Sequence, residues 1–174
     1  LLIKNAEILE KAHQIGTIVM DKTGTITEGK PSVVDYEFKD DNLINVVYSF
    51  ENQSEHPLAK AMVTFCKENN ANELEIEDYQ SVDGVGLKGK YHDDEYMIGN
   101  FRILEGDNVL SPSELYKLNQ FAQEGNNPIL ITKNKAFVGY LLIKDKIKES
   151  SISAISLLKK MKINRRKYGN TNSK

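Results

Sequence analysis

The string Asp21-Lys22-Thr23-Gly24-Thr25-Ile26-Thr27 holds residue types at a spacing that could do chemistry. It directly follows Thr17-Ile18-Val19-Met20, a short β-prone apolar run after Gly16 that reads as a buried strand of the parallel-sheet type. A carboxylate at that point stands at the carboxyl end of a strand, where open α/β sheets place their ligands. There it can act as a nucleophile in phosphoryl transfer. That reaction needs an attacking oxygen in line with the leaving group, a metal and cations to neutralise developing charge, and close donors around the transferred group. Asp21 would attack and help to hold Mg²⁺, with the Thr23 carbonyl as a second oxygen ligand. Thr25 and the Gly24 amide would donate to phosphate, and Gly24 lets the backbone come near. A strand ending in a polar turn explains any one of these residues, but not the whole string.

Three further groups could contact a ligand. Ser54-Glu55-His56-Pro57-Leu58-Ala59 sets a carboxylate and an imidazole side by side ahead of a helix start. Taken alone, a histidine before proline at a helix start is more often a capping or loop residue. Gly84-Val85-Gly86 and Ile98-Gly99-Asn100 are weaker signals, since glycines in a hairpin usually supply positive φ or mark a bulge. No Gly-rich loop ending in Lys-Ser/Thr is present, which disfavours an ordinary P-loop NTPase. His13 and His92 have no partners at metal-ligand spacing and Cys66 stands alone, so none of the three is assigned to metal.

These groups must be positioned by regular elements. Residues 4–13 place Ile8, Leu9 and Ala12 on one face of a short helix. A second strand is expected over 33–38, and helices over 42–50 and 58–65 flank a polar, Pro-marked joint. Residues 79–82, 86–91 and 95–98 read as short strands, the last two forming a hairpin over His92-Asp93-Asp94. Ser111, Pro112 and Glu114 predict a capped helix start, and that helix ends near Gly125. Residues 128–132 and 136–143 form a second hairpin, and 150–161 a final amphipathic helix. Antiparallel hairpins fill the middle while the strand-then-Asp element and the last helix sit at the two ends, the pattern of an inserted domain.

Composition sets outer bounds. With 40% hydrophobic and 28% charged residues, 174 residues can bury one good core or two small ones. Lys and Arg total 23 against 25 Asp and Glu, a net charge of -2 that gives no whole-molecule attraction to nucleic acid or anionic lipid. Cys66, the sole cysteine, forms no internal disulfide, fits a reducing compartment and reads as core. No apolar run approaches the roughly 20 residues that span a bilayer, and the start lacks a signal-peptide layout, so the chain is expected to be soluble. It opens on Leu1-Leu2-Ile3, either trimmed or part of something larger.

Residues 21–27 resemble the phosphorylation signature of P-type ATPases, within the haloacid dehalogenase-like superfamily. Residues 54–58 resemble the Ser-Glu-His-Pro-Leu element of the heavy-metal subfamily, in which the Glu and His face the adenine. The Gly84 and Gly99 elements resemble that family's Gly-x-Gly and Gly-Asn elements beside the nucleotide, and all four occur in the family's order. The resemblance implies an α/β fold: a partial haloacid-dehalogenase-like phosphorylation domain interrupted by an α+β nucleotide-binding domain with an antiparallel sheet flanked by helices. On that basis residues 1–38 begin the phosphorylation domain, 39–140 form the nucleotide-binding domain, 141–164 return to the first, and 165–174 are an atypical polar tail. Asp145 takes the place of the family's hinge acid, although a solvated charge run reads equally well.

What the resemblance implies for function is a copper-exporting pump that couples ATP hydrolysis, through an aspartyl phosphate, to ion transport. Asp21, Lys22, Thr23 and Thr25 would be catalytic, and Glu55, His56, Gly84, Gly86, Gly99 and Asn100 would bind ATP. Asp21 and Thr23 would hold Mg²⁺. The parent pump would sit at the plasma membrane with this region on its cytoplasmic face, beside its remaining domains, and copper would pass only through a membrane part outside this chain. Nucleic acid is not an expected partner. After residue 164 the family would continue into a strand, a Thr-Gly-Asp motif, a lysine and a Gly-Asp-Gly motif; instead 165–174 are polar and basic, and no buried strand is expected there. ATP binding without efficient turnover follows, since positioning and charge neutralisation are nearly all of such catalysis. The competing readings are a nucleotide-binding remnant without transport and a soluble haloacid-dehalogenase-like phosphatase.

Overall fold

The computed structural model describes residues 15–104 and 110–167. The chain divides into two units, one drawn from the segments up to Lys30 and from Asp145 onward, the other being Pro31–Lys144. The helix expected over 4–13 lies outside the described residues, as does His13.

In the larger unit, strands β2 (Thr27–Phe38), β3 (Glu77–Val82), β4 (Gly86–Tyr91), β5 (Asp94–Gly99), β6 (Asn127–Lys133) and β7 (Ala136–Ile147) form one sheet in the order β2-β7-β6-β5-β4-β3. The chain enters this unit within β2 and leaves it within β7. Neighbours from β3 to β7 along the sheet pair antiparallel. The period of two assigns their side chains to opposite faces. On one face Ile98, Ile129, Ile131, Leu141 and Ile143 pack with Leu43, Val46, Val47 and Phe50 of α1 (Leu43–Glu51) and Met62 and Cys66 of α2 (Ala59–Glu68). On the other, Leu130, Tyr140 and Leu142 pack with Ile103 and with Leu118 of α3 (Pro112–Gln123). Helix α1 forms because Leu43, Val46, Val47 and Phe50 fall on one stripe at helical spacing, which the sheet then covers. The expected α3 start is present: Ser111 Oγ accepts from the Glu114 amide at 3.3 Å, and the Ser111 amide donates to the Glu114 carboxylate at 2.9 Å. Cys66 is buried in the core, as its apolar neighbours predict.

The smaller unit holds β1 (Thr17–Met20), β8 (Asn164–Lys167) and α4 (Glu149–Lys160). Strands β1 and β8 pair in parallel, with Thr17 opposite Asn164 and Met20 opposite Lys167. Three expectations need correction. Strand β1 forms but is not buried: Val19 is 54% exposed, because a two-stranded sheet and a helix without a buried residue cannot cover it. Residues 165–167 are not wholly a tail but belong to β8, because parallel pairing to β1 satisfies the backbone whatever side chains it carries; residues 168–174 lie outside the described part. Strand β2 begins at Thr27 rather than near residue 33, with Gly29 and Pro31 tolerated on a strand at the edge of its sheet.

Among the described residues no helix is long and apolar enough to cross a membrane, which says nothing of a β-barrel.

Candidate functional site

A cavity of about 580 Å³ opens in the larger unit between the end of α1, residues 53–58, the end of β3 and the paired strands β4 and β5. That size falls within the range of about 300–1,000 Å³ found for small-molecule sites. Glu55, His56, Gly84, Gly86, Gly99 and Asn100 all line it, so the structure brings together six of the residues singled out from the sequence.

Local hydrogen bonds shape its walls. The Ser54 amide donates to the Glu51 carbonyl at 3.1 Å, and Ser54 Oγ accepts from the His56 amide at 3.2 Å. His56 Nδ1 accepts from the Leu58 amide at 3.2 Å, which leaves the proton of the neutral ring on Nε2. The opposite wall depends on two glycines. Gly86 pairs with Gly99 across β4 and β5, and a Cβ on Gly86 would lie 2.1 Å from the Ile98 carbonyl oxygen, one on Gly99 2.2 Å from that of Val85. Only glycine permits this approach. Asn100 closes the loop, its Nδ2 donating to the Gly84 carbonyl at 2.9 Å and its amide to the Val85 carbonyl at 3.0 Å.

Sequence reasoning missed Glu51. This last residue of α1 lines the cavity yet is only 4% exposed, and burial pushes its carboxyl up to about 7. Burial, and then the nearby Glu51, push the Cys66 thiol up to about 12. The same two causes raise the Tyr79 phenol, against a hydrogen bond to Ser54. A signal was present in the sequence: Glu51 lies four residues after Val47, on the apolar stripe of α1.

The Asp21 string lies in the smaller unit, as a wide turn over residues 22–26 in which the Thr27 amide donates to the Lys22 carbonyl. Asp21 is exposed at its start and accepts from the Lys22 amide at 2.8 Å. Gly24 turns the chain at φ 75°, and its amide donates to Thr27 Oγ1 at 3.2 Å, so here that donor is engaged within the turn. Lys148 Nζ donates to the Gly24 carbonyl, and Ser151 Oγ to that of Thr25 at 3.4 Å. Thr23 and Thr25 are exposed beside them. Asp145 is not a solvated charge: one carboxylate oxygen accepts from the buried Thr27 hydroxyl at 2.5 Å, the other from the Gly29 and Lys30 amides at 3.0 and 3.2 Å. For Mg²⁺, the fit is partial. An exposed carboxylate and a backbone carbonyl two residues on are the hard oxygen donors this ion takes, the others coming from phosphate and water. Among the described residues no group of three or more His, Cys, Asp and Glu is placed to hold a metal.

Residues 15–169 match the haloacid dehalogenase-like hydrolase family model. The chain belongs to this family. Within it, the chain is 35% identical over 164 residues to the copper-exporting P-type ATPase of Staphylococcus epidermidis, covering 94% of this chain and 20% of that protein. It therefore spans about a fifth of the length of the curated relatives it matches. The catalytic domain of the CPx-ATPase CopB-B, solved to follow conformational changes upon nucleotide binding, superposes with a TM-score of 0.65 at 27% identity, over 95% of this chain and 58% of that one. The N-domain of a copper-transporting P-type ATPase gives a TM-score of 0.54 at 15% identity, over 63% of this chain and 97% of that domain, a likeness of fold alone. The heavy-metal P-type resemblance read from the motifs therefore holds across nearly the whole haloacid dehalogenase-like chain, and the antiparallel sheet with flanking helices is the fold that the resemblance implied.

Proposed function

We propose that this chain is the nucleotide-binding and phosphoryl-acceptor region of a copper-exporting P-type ATPase. The observation that carries the reading is the convergence of the His-Pro, Gly-x-Gly and Gly-Asn elements on one cavity of the larger unit. ATP occupies that cavity with its adenine against the His56 ring. The exocyclic amine donates to Glu55 or to the buried Glu51 carboxylate, and the sugar and phosphates run over the Gly84 loop, where no Cβ intervenes. In the smaller unit, an Asp21 oxygen forms a bond to the γ-phosphorus as the bond to the β,γ-bridging oxygen breaks. ADP leaves with that electron pair. Lys22 and the Thr25 hydroxyl are placed beside Asp21 in sequence to meet the charge of the phosphoryl oxygens. The Asp21 carboxylate and the Thr23 carbonyl would hold Mg²⁺, which would supply charge neutralisation. Asp145 and Lys148 hold the turn in shape through Thr27 and Gly24. The parent pump would carry this region on the cytoplasmic face of its membrane, with copper passing through parts outside this chain.

Calorimetric titration with ATP and Mg²⁺ tests the reading. The chain binds, and His56→Gln weakens binding at least about fivefold, as loss of a stacked ring does elsewhere. Acid-stable label from γ-labelled ATP builds up on the chain only slowly, in keeping with inefficient turnover, and is lost in Asp21→Asn. No binding by a chain shown to be folded overturns the nucleotide site; binding without label at Asp21 overturns the acceptor role alone.

A further inference from the structure

The cavity poses an electrostatic difficulty for the ligand assigned to it. Glu51, Glu55 and Asp83 line it, and no lysine or arginine is among its lining residues. A nucleoside triphosphate is a multiply charged anion, and the exposed Glu55 and Asp83 repel it, while burial of Glu51 favours its neutral form. The repulsion is offset where a cation stands close by. Arg102 does: its Nη1 donates to the Gly84 carbonyl at 3.3 Å and lies 3.0 Å from where a Gly84 Cβ would be. The guanidinium thus flanks the loop over which phosphates are expected to run.

Its placement is built rather than incidental. The Arg102 amide donates to Asn100 Oδ1 at 2.9 Å, while Nδ2 of the same Asn100 donates to the same Gly84 carbonyl. Backbone and side chain of Arg102 are therefore tied to one loop from two directions. Among the described residues no carboxylate lies within ion-pair distance of Arg102, unlike Lys88, Lys90 and Lys133, which pair with Glu95, Asp78 and Asp94. A guanidinium has five N–H donors in a fixed fork, so a bond to Gly84 leaves capacity for phosphate oxygens.

We propose that Arg102 supplies the positive charge that recognises the phosphates of a nucleotide in this cavity, delivered through its tie to the Gly84 loop. The inference rests on the nucleotide reading above. It makes Arg102 a determinant of triphosphate over nucleoside binding, separate from the residues that recognise the base.

The test compares ATP with adenosine, which keeps the base and sugar and lacks the phosphates. For Arg102→Gln, whose amide can still donate to Gly84, ATP affinity is expected to fall about fivefold while adenosine affinity stays within about twofold. Arg102→Lys, which keeps the charge, recovers most of the loss. Added salt weakens ATP binding to the unaltered chain more than to Arg102→Gln, as a lost charge contact requires. Thermal melting of both variants establishes that they are folded. Equal losses for ATP and adenosine would overturn the proposal, leaving Arg102 only to shape the loop, and so would no loss for either. An unaltered chain that binds neither ligand overturns the nucleotide reading itself, a result distinct from both.

Discussion

A glutamate that closes a surface helix is ordinarily ionised across the physiological range, but burial of Glu51 raises its carboxyl from 4.5 to about 7. The folded chain then binds this proton more tightly than the unfolded chain. Its contribution to stability is full below about pH 4.5, is lost as pH rises, and is gone above about pH 7. A shift of that size corresponds to roughly 3 kcal/mol. Glu51→Gln mimics the protonated form, so the variant should match the original chain near pH 4.5 and exceed it by up to that amount at pH 8, read by urea denaturation at both pH values. An identical gap at the two pH values would show that the carboxyl does not titrate in this window. His56 and Glu55 were legible because a short string carries them, whereas Glu51 was not. A glutamate at a helix end reads as solvated until Cys66 of α2 and Tyr79 of β3 are known to lie near it, and its position four residues after Val47 was the only trace.

At the scale of elements, hairpins and caps were legible because local chemistry decides them. Strand β4 has the predicted bounds, and the β6–β7 turn places Asn134 and Lys135 at positive φ, as a tight hairpin demands. Pairing that depends on distant partners was not legible. The basic run that enters β8 has no strand pattern of its own and is recruited by β1, and the polar start of β2 is extended because β7 lies beside it. The Asp145 latch belongs to the same class. It joins β7 to the start of β2 across more than a hundred residues, which no window of sequence contains. Asp145→Asn removes the charge and half of the acceptor capacity while keeping the size. If the latch holds this junction, exchange of the Gly29 and Lys30 amides rises at least about tenfold, equivalent to about 1.4 kcal/mol of local stability. Unchanged exchange would mean that strand pairing alone protects them.

For the whole molecule, the two units differ in what holds them. The larger buries apolar residues on both faces of a six-stranded sheet, with Leu130, Ile131 and Leu141 fully enclosed. The smaller has two paired strands and a helix with no buried residue, Ile152 and Leu157 being 59% and 58% exposed. A two-stranded sheet is marginal in water without a covered apolar face, so the smaller unit should open by local fluctuation while the larger opens only on global unfolding. Native-state hydrogen exchange separates these modes. Amides of Ile131 and Leu141 should exchange with the free energy of global unfolding and with its full denaturant dependence. Those of α4 and β1 should exchange at least tenfold faster, about 1.4 kcal/mol below the global value, with little denaturant dependence. Nucleotide supplies the second half of the test. ATP bound in the cavity of the larger unit should slow exchange in that unit in proportion to occupancy and leave α4 unchanged, because a ligand stabilises only the states that retain its site. Matching protection in both units, with or without ATP, would mean that they unfold as one, and the nucleotide-binding unit would then have no stability of its own.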